Sequence, residues 1–421
     1  MVITRQLSNG ATVLVEEIPY VHSAAVGVFV KVGSRQEDAE NNGISHFIEH
    51  MLFKGTRTRS ARDIAEVFEE MGGQLNAYTS KESTCFYARV LDENIYQAMD
   101  ILFDMLFNSM LNEKDLDVER GVIIEEINMY EDSPDELVHD VFIQTVLSSQ
   151  PLGRPILGYS KIIESMDRET IMNYYRQYYN PSNMIIAVAG NVNEEEVIKR
   201  IEGYKGYDPD ACTSLIHDSA NMGQGLKLLN KKTEQVQICL GVPGISYLDD
   251  NRHVQTVMNS ILGGGMSSRL FQKIREEKGL AYSVYSYPST YRDVGTYTIY
   301  VGTGPTRVRE FFATLKDELT RFIDDGVSMD EVSRTQKQIK ASIYLGLESI
   351  MTRMNRMGKS QLMYGRVIDV EEVIEKIFKL TPDMVQNFAQ RILAGGNFSL
   401  ASIGEADALK IVEEEFNRWT L

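Results

Sequence analysis

The chain has little of several things, and each shortage narrows what it can be. Cysteine is scarce, with only Cys85, Cys212 and Cys239 in 421 residues. An odd, scattered set is neither a disulfide framework nor a zinc-finger spacing, and it points to a reducing compartment. Positive charge is short: 43 Lys and Arg stand against 60 Asp and Glu, a net charge of −17. That speaks against nucleic acid and anionic membrane as partners. It suits basic or extended peptides, and it also serves plain solubility. No apolar run approaches the roughly 18–20 residues of a membrane span. The first stretch, "MVITRQLSNGATVLVEEIPY", has no basic segment followed by an apolar one and no Arg/Ser-rich leader, so no signal or transit peptide is read there. A cytoplasmic, bacterial-type protein is expected. Histidine is rare too, with six in the chain.

Two of those six stand in "GISHFIEHMLFKGT", residues 43–56. His46 and His50 are four apart, which places them on one face of a helix. Two imidazoles so placed can bind one metal ion, and zinc takes His and carboxylate ligands, three in a catalytic site. Glu49, beside His50, lies off the ligand axis but near it, as suits a general base. Apolar neighbours (Phe47, Ile48, Met51, Leu52, Phe53) mark the segment as buried, where unpaired charge is costly. The bland alternative is a helix with hydrogen-bonded histidines. The pattern H-x-x-E-H is the inverzincin motif.

Two histidines leave a zinc site incomplete. His22, His139, His217 and His253 are isolated, so a carboxylate is the better third ligand. The segment "EKDLDVERGVIIEEINMYED" (113–132) reads as a helix on which Glu119 and Glu126, seven apart, share a face. Val122, Ile123 and Ile127 lie among them. Glu125 competes with Glu126 on these grounds, and an acidic surface helix is the simpler reading of any single Glu here.

Along the chain two halves read alike. In the first, a strand at 23–38 leads to the histidine helix. A helix at 60–73, strands at 74–80 and 83–90, and a helix at 93–106 follow. In the second, a strand at 234–250 leads to helices at 252–265 and 267–279. Strands at 280–289 and 295–304 and a helix at 306–326 follow. Further helices are expected at 162–178 and 368–393. Asn9-Gly10 marks a hairpin. Overall composition, 43% hydrophobic and 24% charged, is that of a globular protein. Consecutive strands with short turns favour antiparallel pairing. The expected fold is therefore α+β, two homologous domains of mainly antiparallel sheet with helices packed on one face. They span 1–210 and 225–421, joined by a polar linker at 211–224.

The chain resembles the pitrilysin and insulinase superfamily of inverzincin peptidases. It is most similar to the two-domain branch with the mitochondrial processing peptidase β subunit and its bacterial relatives. That family's signature is H-x-x-E-H, a Glu 69 residues after the second His, and another seven further on. From His50 these steps reach Glu119 and Glu126. The resemblance implies one zinc ion per chain held by His46, His50 and Glu126, with Glu49 as base and Glu119 as a supporting acid. The block "LGGGMSSRLFQKIREEKGLAYSVYS" (262–286) is similar to the family's second conserved segment. There the resemblance implies that Arg275 and Tyr282 bind substrate backbone and stabilise the transition state. It further implies that extended peptide adds to the edge of the strand in "GGQLNAYTSKEST" (72–84), against Asn76 and Ala77. The implied function is a zinc endopeptidase that cuts short or unfolded peptides inside a chamber. The implied assembly is a homodimer whose active sites are completed across subunits. The alternative is a non-catalytic peptide-binding or structural subunit of the same family.

Overall fold

The computed structural model describes residues 2–204 and 219–420. Part of the expected linker, 211–218, lies outside the described residues, as do Cys212 and His217.

Two sheets organise the chain. The first is built from β1 (Val2–Gln6), β2 (Thr12–Glu17), β3 (Ser23–Val30), β4 (Gln74–Thr79), β5 (Thr84–Leu91) and β6 (Met184–Gly190), in the order β1-β2-β6-β3-β5-β4. The second contains β7 (Leu226–Asn230), β8 (Val236–Pro243), β9 (Ala281–Thr290), β10 (Gly295–Thr303) and β11 (Ser399–Gly404), in the order β7-β11-β8-β10-β9. All pairings are antiparallel except β2 with β6 and β7 with β11. Leaving β1 aside, both sheets place their strands in the same sequential order: first, fifth, second, fourth, third. The expected α+β fold with repeated, mainly antiparallel sheets is what the chain adopts.

The early helices in chain order are α1 (Ile44–Leu52), α2 (Ala61–Glu70), α3 (Ile95–Asn108), α4 (Glu113–Glu131) and α5 (Pro134–Val146). Local sequence explains several boundaries. Asn9-Gly10 turns β1 into β2, with Gly10 at φ +90°. Ser60 and Asp63 form a reciprocal capping box that starts α2. The expected strand at 23–38 stops at Val30, because Ser34 and Arg35 turn away to bond the carbonyls of Ser80 and Lys81. The expected helix at 162–178 is two, Ser160–Ser165 and Arg168–Tyr178, since Asp167 caps the second through the Thr170 N–H. Pro382 opens a new helix and divides the one expected at 368–393.

The described residues form two compact units, and these differ from the two halves of the sequence. One contains 2–128, 154–204 and 344–368, and the other 129–153, 219–343 and 369–420. In the first unit, α1 and α3 bury their apolar faces on one side of the sheet, around Phe47, Ile48, Met51, Leu102 and Phe103. The opposite side is covered by the helix Ile350–Tyr364, whose Ile350, Met354 and Met357 meet Phe29, Cys85 and Ile185. A Cβ at Gly358 would run into the Phe29 ring, so this close approach requires glycine. The second unit repeats the arrangement. Helices Arg252–Leu262, Val308–Asp324 and Pro382–Leu393 share its main core. On its other side α5 sets Val138, Phe142 and Val146 against Cys239, Ala401 and Ile403. Beyond the helices expected on one face, each sheet thus has its second face covered by a segment from the other half of the sequence.

Candidate metal centre and peptide-binding edge

α1 begins at Gly43, in the left-handed region at φ 98° with the Leu157 carbonyl and Ile163 crowding the place of a Cβ. The free N–H groups of its first turn are met by Glu37, which is 1% exposed. Its carboxylate accepts bonds from the Gly43 N–H at 2.7 Å, the Ser45 N–H at 3.0 Å and Asn42 Nδ2 at 2.8 Å. Burial pushes the Glu37 pKa up, but both oxygens accept N–H bonds, and the positive end of the helix favours an anion there. The helix that carries His46 and His50 is thereby anchored at its start.

One turn later His46 and His50 present their rings on one face, centroids 4.6 Å apart and inclined at 68°. α4 brings Glu126 to them. Its Oε2 lies 3.7 Å from His46 Nε2 and 3.5 Å from His50 Nε2. One ligand atom from each of the three lies within 4.8 Å of the others. Ligands about 2.0–2.1 Å from a tetrahedral zinc stand roughly 3.3 Å apart, so the donor set fits zinc after a small contraction. Glu125 faces away and is exposed. Among the described residues no other group of His, Cys, Asp and Glu converges in this way.

The supporting contacts differ between the two imidazoles. His50 Nδ1 pairs with Glu119 Oε2 at 3.1 Å, which fixes the tautomer that leaves Nε2 for a metal. Glu119 is only 3% exposed, and Lys54 Nζ meets its other oxygen at 2.6 Å. His46 Nδ1 is buried without a hydrogen-bond partner, so packing rather than a second bond orients that ring.

Electrostatics follow from these contacts. Burial, reinforced by His50, pushes His46 down to about 4, which keeps the ring neutral, with one nitrogen lone pair free, near neutral pH. Burial alone would lower His50 too, but hydrogen bonds and charge from Glu126 and Glu119 outweigh it and raise its pKa. The hydrogen bond from His50 holds Glu126 below the usual carboxylate range. Glu49 goes the other way: burial raises its pKa although Thr79 Oγ1 donates to Oε2. A carboxylate made more basic beside three side chains that could hold a metal is suited to taking a proton.

Glu49's partner Thr79 ends β4, the edge strand of the first sheet. Asn76 is exposed and Ala77 half-buried, and the Ala77 N–H donates to Asn76 Oδ1 at 2.8 Å. Beside this edge, Phe53, Ile64, Phe68 and Leu75 line a cavity of about 660 Å³. In the second unit, Arg275 lies in a π-helical turn, Phe271–Glu277, where the sequence predicts an ordinary helix at 267–279. Its guanidinium sits 4.4 Å from the Tyr282 ring centre and 4.7 Å from that of Phe271. Tyr282, on the edge strand β9, is 74% exposed. The structure therefore groups His46, Glu49, His50, Glu119 and Glu126 in one unit and pairs Arg275 with Tyr282 in the other.

Sequence reasoning passed over Glu37, Lys54 and Thr79. Lys54 follows His50 by four and carried a helical-spacing signal. Thr79 meets Glu49 from a segment 30 residues away, and Glu37 meets Asn42, Gly43 and Ser45 through an irregular loop that follows no periodic spacing.

Relatives place the chain. An uncharacterized zinc protease of Streptomyces coelicolor is 41% identical over 406 residues, covering 94% of this chain and 88% of the relative. The uncharacterized zinc protease YmxG of Bacillus subtilis is 42% identical over 397 residues, covering 94% and 96%. The chain belongs to the M16, or insulinase, family of peptidases. Residues 12–160 match the family description "Insulinase (Peptidase family M16)", and 165–339 match "Peptidase M16 inactive domain". The M16 relatives are named zinc proteases, which supports a zinc metallopeptidase. Two solved structures share the fold. A peptidase M16 inactive domain from Pseudomonas fluorescens has a TM-score of 0.90 at 18% identity, covering 96% of this chain and 98% of its own. A protease from Helicobacter pylori has a TM-score of 0.87 at 20% identity, covering 96% and 99%.

Proposed function

We propose that the chain is a zinc-dependent endopeptidase acting on short or unfolded peptides bound in extended form. The observation that supports this most is the convergence of His46, His50 and Glu126 with the basic carboxylate of Glu49 beside them. One zinc ion held there would supply Lewis acidity toward a water and the scissile carbonyl. Glu49 takes the water's proton on its carboxylate and later delivers it to the leaving amine. Glu119 keeps the His50 ring turned. Substrate backbone extends the sheet at β4, competing with Asn76 for the Ala77 N–H. Arg275 grips a backbone carbonyl and the Tyr282 phenol donates to the developing oxyanion. A cytoplasmic location belongs to the same reading, supported by the buried free thiols of Cys85 and Cys239. Among the described residues no helix is long and apolar enough to cross a membrane.

The test is hydrolysis of an unstructured peptide followed by mass spectrometry. Cleavage is expected, with loss on chelation and recovery on adding zinc. Absence of cleavage by the zinc-loaded protein would favour the non-catalytic, peptide-binding alternative.

The proposal includes a homodimer in which Arg275 and Tyr282 of each subunit complete the metal site of the other. It rests on the resemblance of the 262–286 block to the family's second conserved segment and on the prevalence of closed two-fold oligomers. Mixing the inactive Glu49→Gln and Tyr282→Phe proteins is expected to restore activity, because exchanged dimers regain one site with both groups intact. No recovery, with subunit exchange demonstrated, would place Tyr282 in its own chain's site or outside catalysis.

A further inference from the structure

A peptide that extends the first sheet at β4 stands its side chains alternately on the two faces of that sheet. The two faces differ. Leu75 and Ala77 point to the side of α1, where they pack against the main core, and Thr79 reaches Glu49 there. Tyr78 points to the opposite side and packs against the cluster that contains Phe29, Cys85 and, from the helix Ile350–Tyr364, Met354. That helix brings a cation to the strand: Lys359 Nζ lies 5.4 Å from the centre of the Tyr78 ring. Lys359 is exposed. The nearby Cys85 thiol is pushed by burial up to about 12 and stays neutral. Among the described residues no carboxylate forms an ion pair with Lys359.

We propose that Lys359 and Tyr78 form a subsite for an acidic side chain, Asp or Glu, of the bound peptide. The inference rests on the peptidase reading and on strand addition at β4. A residue directly across from Tyr78 has its Cβ about 4.5–5.5 Å away, and its diagonal neighbours about 7–8 Å. A carboxylate at one of these positions comes within reach of the Lys359 ammonium. The subsite lies close to the bond that is cut, because Thr79, adjacent to Tyr78, holds the catalytic Glu49. The net charge of −17 repels acidic peptides at a distance. Lys359 therefore acts on where an acid sits along the peptide and does not speed the encounter. The aromatic ring beneath the ammonium favours a fixed position for the charge.

The test uses one unstructured peptide with Asp, Asn or Lys placed at each position flanking the cleavage site in turn. Relative kcat/KM is read by mass spectrometry, with the Asn peptide as internal reference for each enzyme. At one position the wild type is expected to prefer Asp over Lys by about three- to tenfold, the scale of an exposed pair gained and a repulsion lost. Lys359→Met should bring that ratio near one, and Lys359→Glu should invert it. Raising the salt concentration should shrink the wild-type ratio. A Lys359→Glu ratio within about twofold of the wild type at every position would overturn the inference, since even weak exposed pairs move a ratio when a charge is reversed. Equal cleavage of Asp, Asn and Lys peptides by the wild type would overturn it while leaving the peptidase reading intact. No cleavage of any peptide, the neutral one included, would overturn both.

Discussion

Glu49→Gln is expected to lower peptide hydrolysis by about 10²- to 10⁴-fold, the usual contribution of a positioned general base, with zinc content close to wild type. The metal would be held by His46, His50 and Glu126, whose donor atoms converge without Glu49. The glutamine keeps an oxygen that accepts from Thr79 Oγ1, so the local geometry has a substitute for the bond it loses. What it lacks is a carboxylate able to take a proton. Thermal stability offers a second readout. Burial raises the Glu49 pKa, so its ionised form costs folding stability above the usual carboxylate range. The neutral amide removes that cost, and the melting temperature at neutral pH should hold or rise. Retention of more than about a hundredth of the wild-type rate would remove Glu49 from the role of base. A coincident loss of zinc would instead make it part of the metal-binding set.

The histidine helix was the most legible part of the sequence because its information is local. Two histidines four apart on an apolar run define a face, and α1 closes at Leu52 as that pattern ends. The strands β4, β5, β9 and β10 were legible for the same reason, with alternation and turns within a short window. Other features depend on partners distant in sequence. The helices at α5 and Ile350–Tyr364 have apolar faces, but periodicity says only that a face is buried and not what covers it. Neither was read as the cover of a sheet, and their exchange between the sequence halves had no local sign. Glu37 serves the start of α1 from an irregular loop, and Thr79 reaches Glu49 from an edge strand. The Thr79 contact is created by the assembled sheet, and the Glu37 contacts, though five to eight residues apart, depend on how the loop before α1 folds back, which no regular spacing encodes. The π-helical turn at Phe271–Glu277 was likewise hidden. Its composition suits an α-helix, and nothing in its sequence marks the wider turn.

The choice between Glu125 and Glu126 shows how far a spacing argument reaches, and it carries the second large effect. On α4 both are acidic neighbours two turns from Glu119, and only one shares its face. Glu126 is half-buried with its oxygen 3.5–3.7 Å from the two imidazole nitrogens, while Glu125 points to solvent. Glu126→Gln removes a charged ligand and the partner that holds the His50 proton in the metal-free protein. Zinc affinity, measured by competition with a chromophoric chelator, is expected to fall by more than the roughly 10- to 100-fold typical of losing a supporting residue. Glu125→Gln should leave it within about twofold, as expected for an exposed surface change. Because the assay reads metal binding directly, it does not depend on which peptide the enzyme prefers. Equal losses in the two variants, or the reverse order, would mean that α4 presents a different carboxylate to the metal. The third-ligand assignment would then fall, while that of the two histidines would stand.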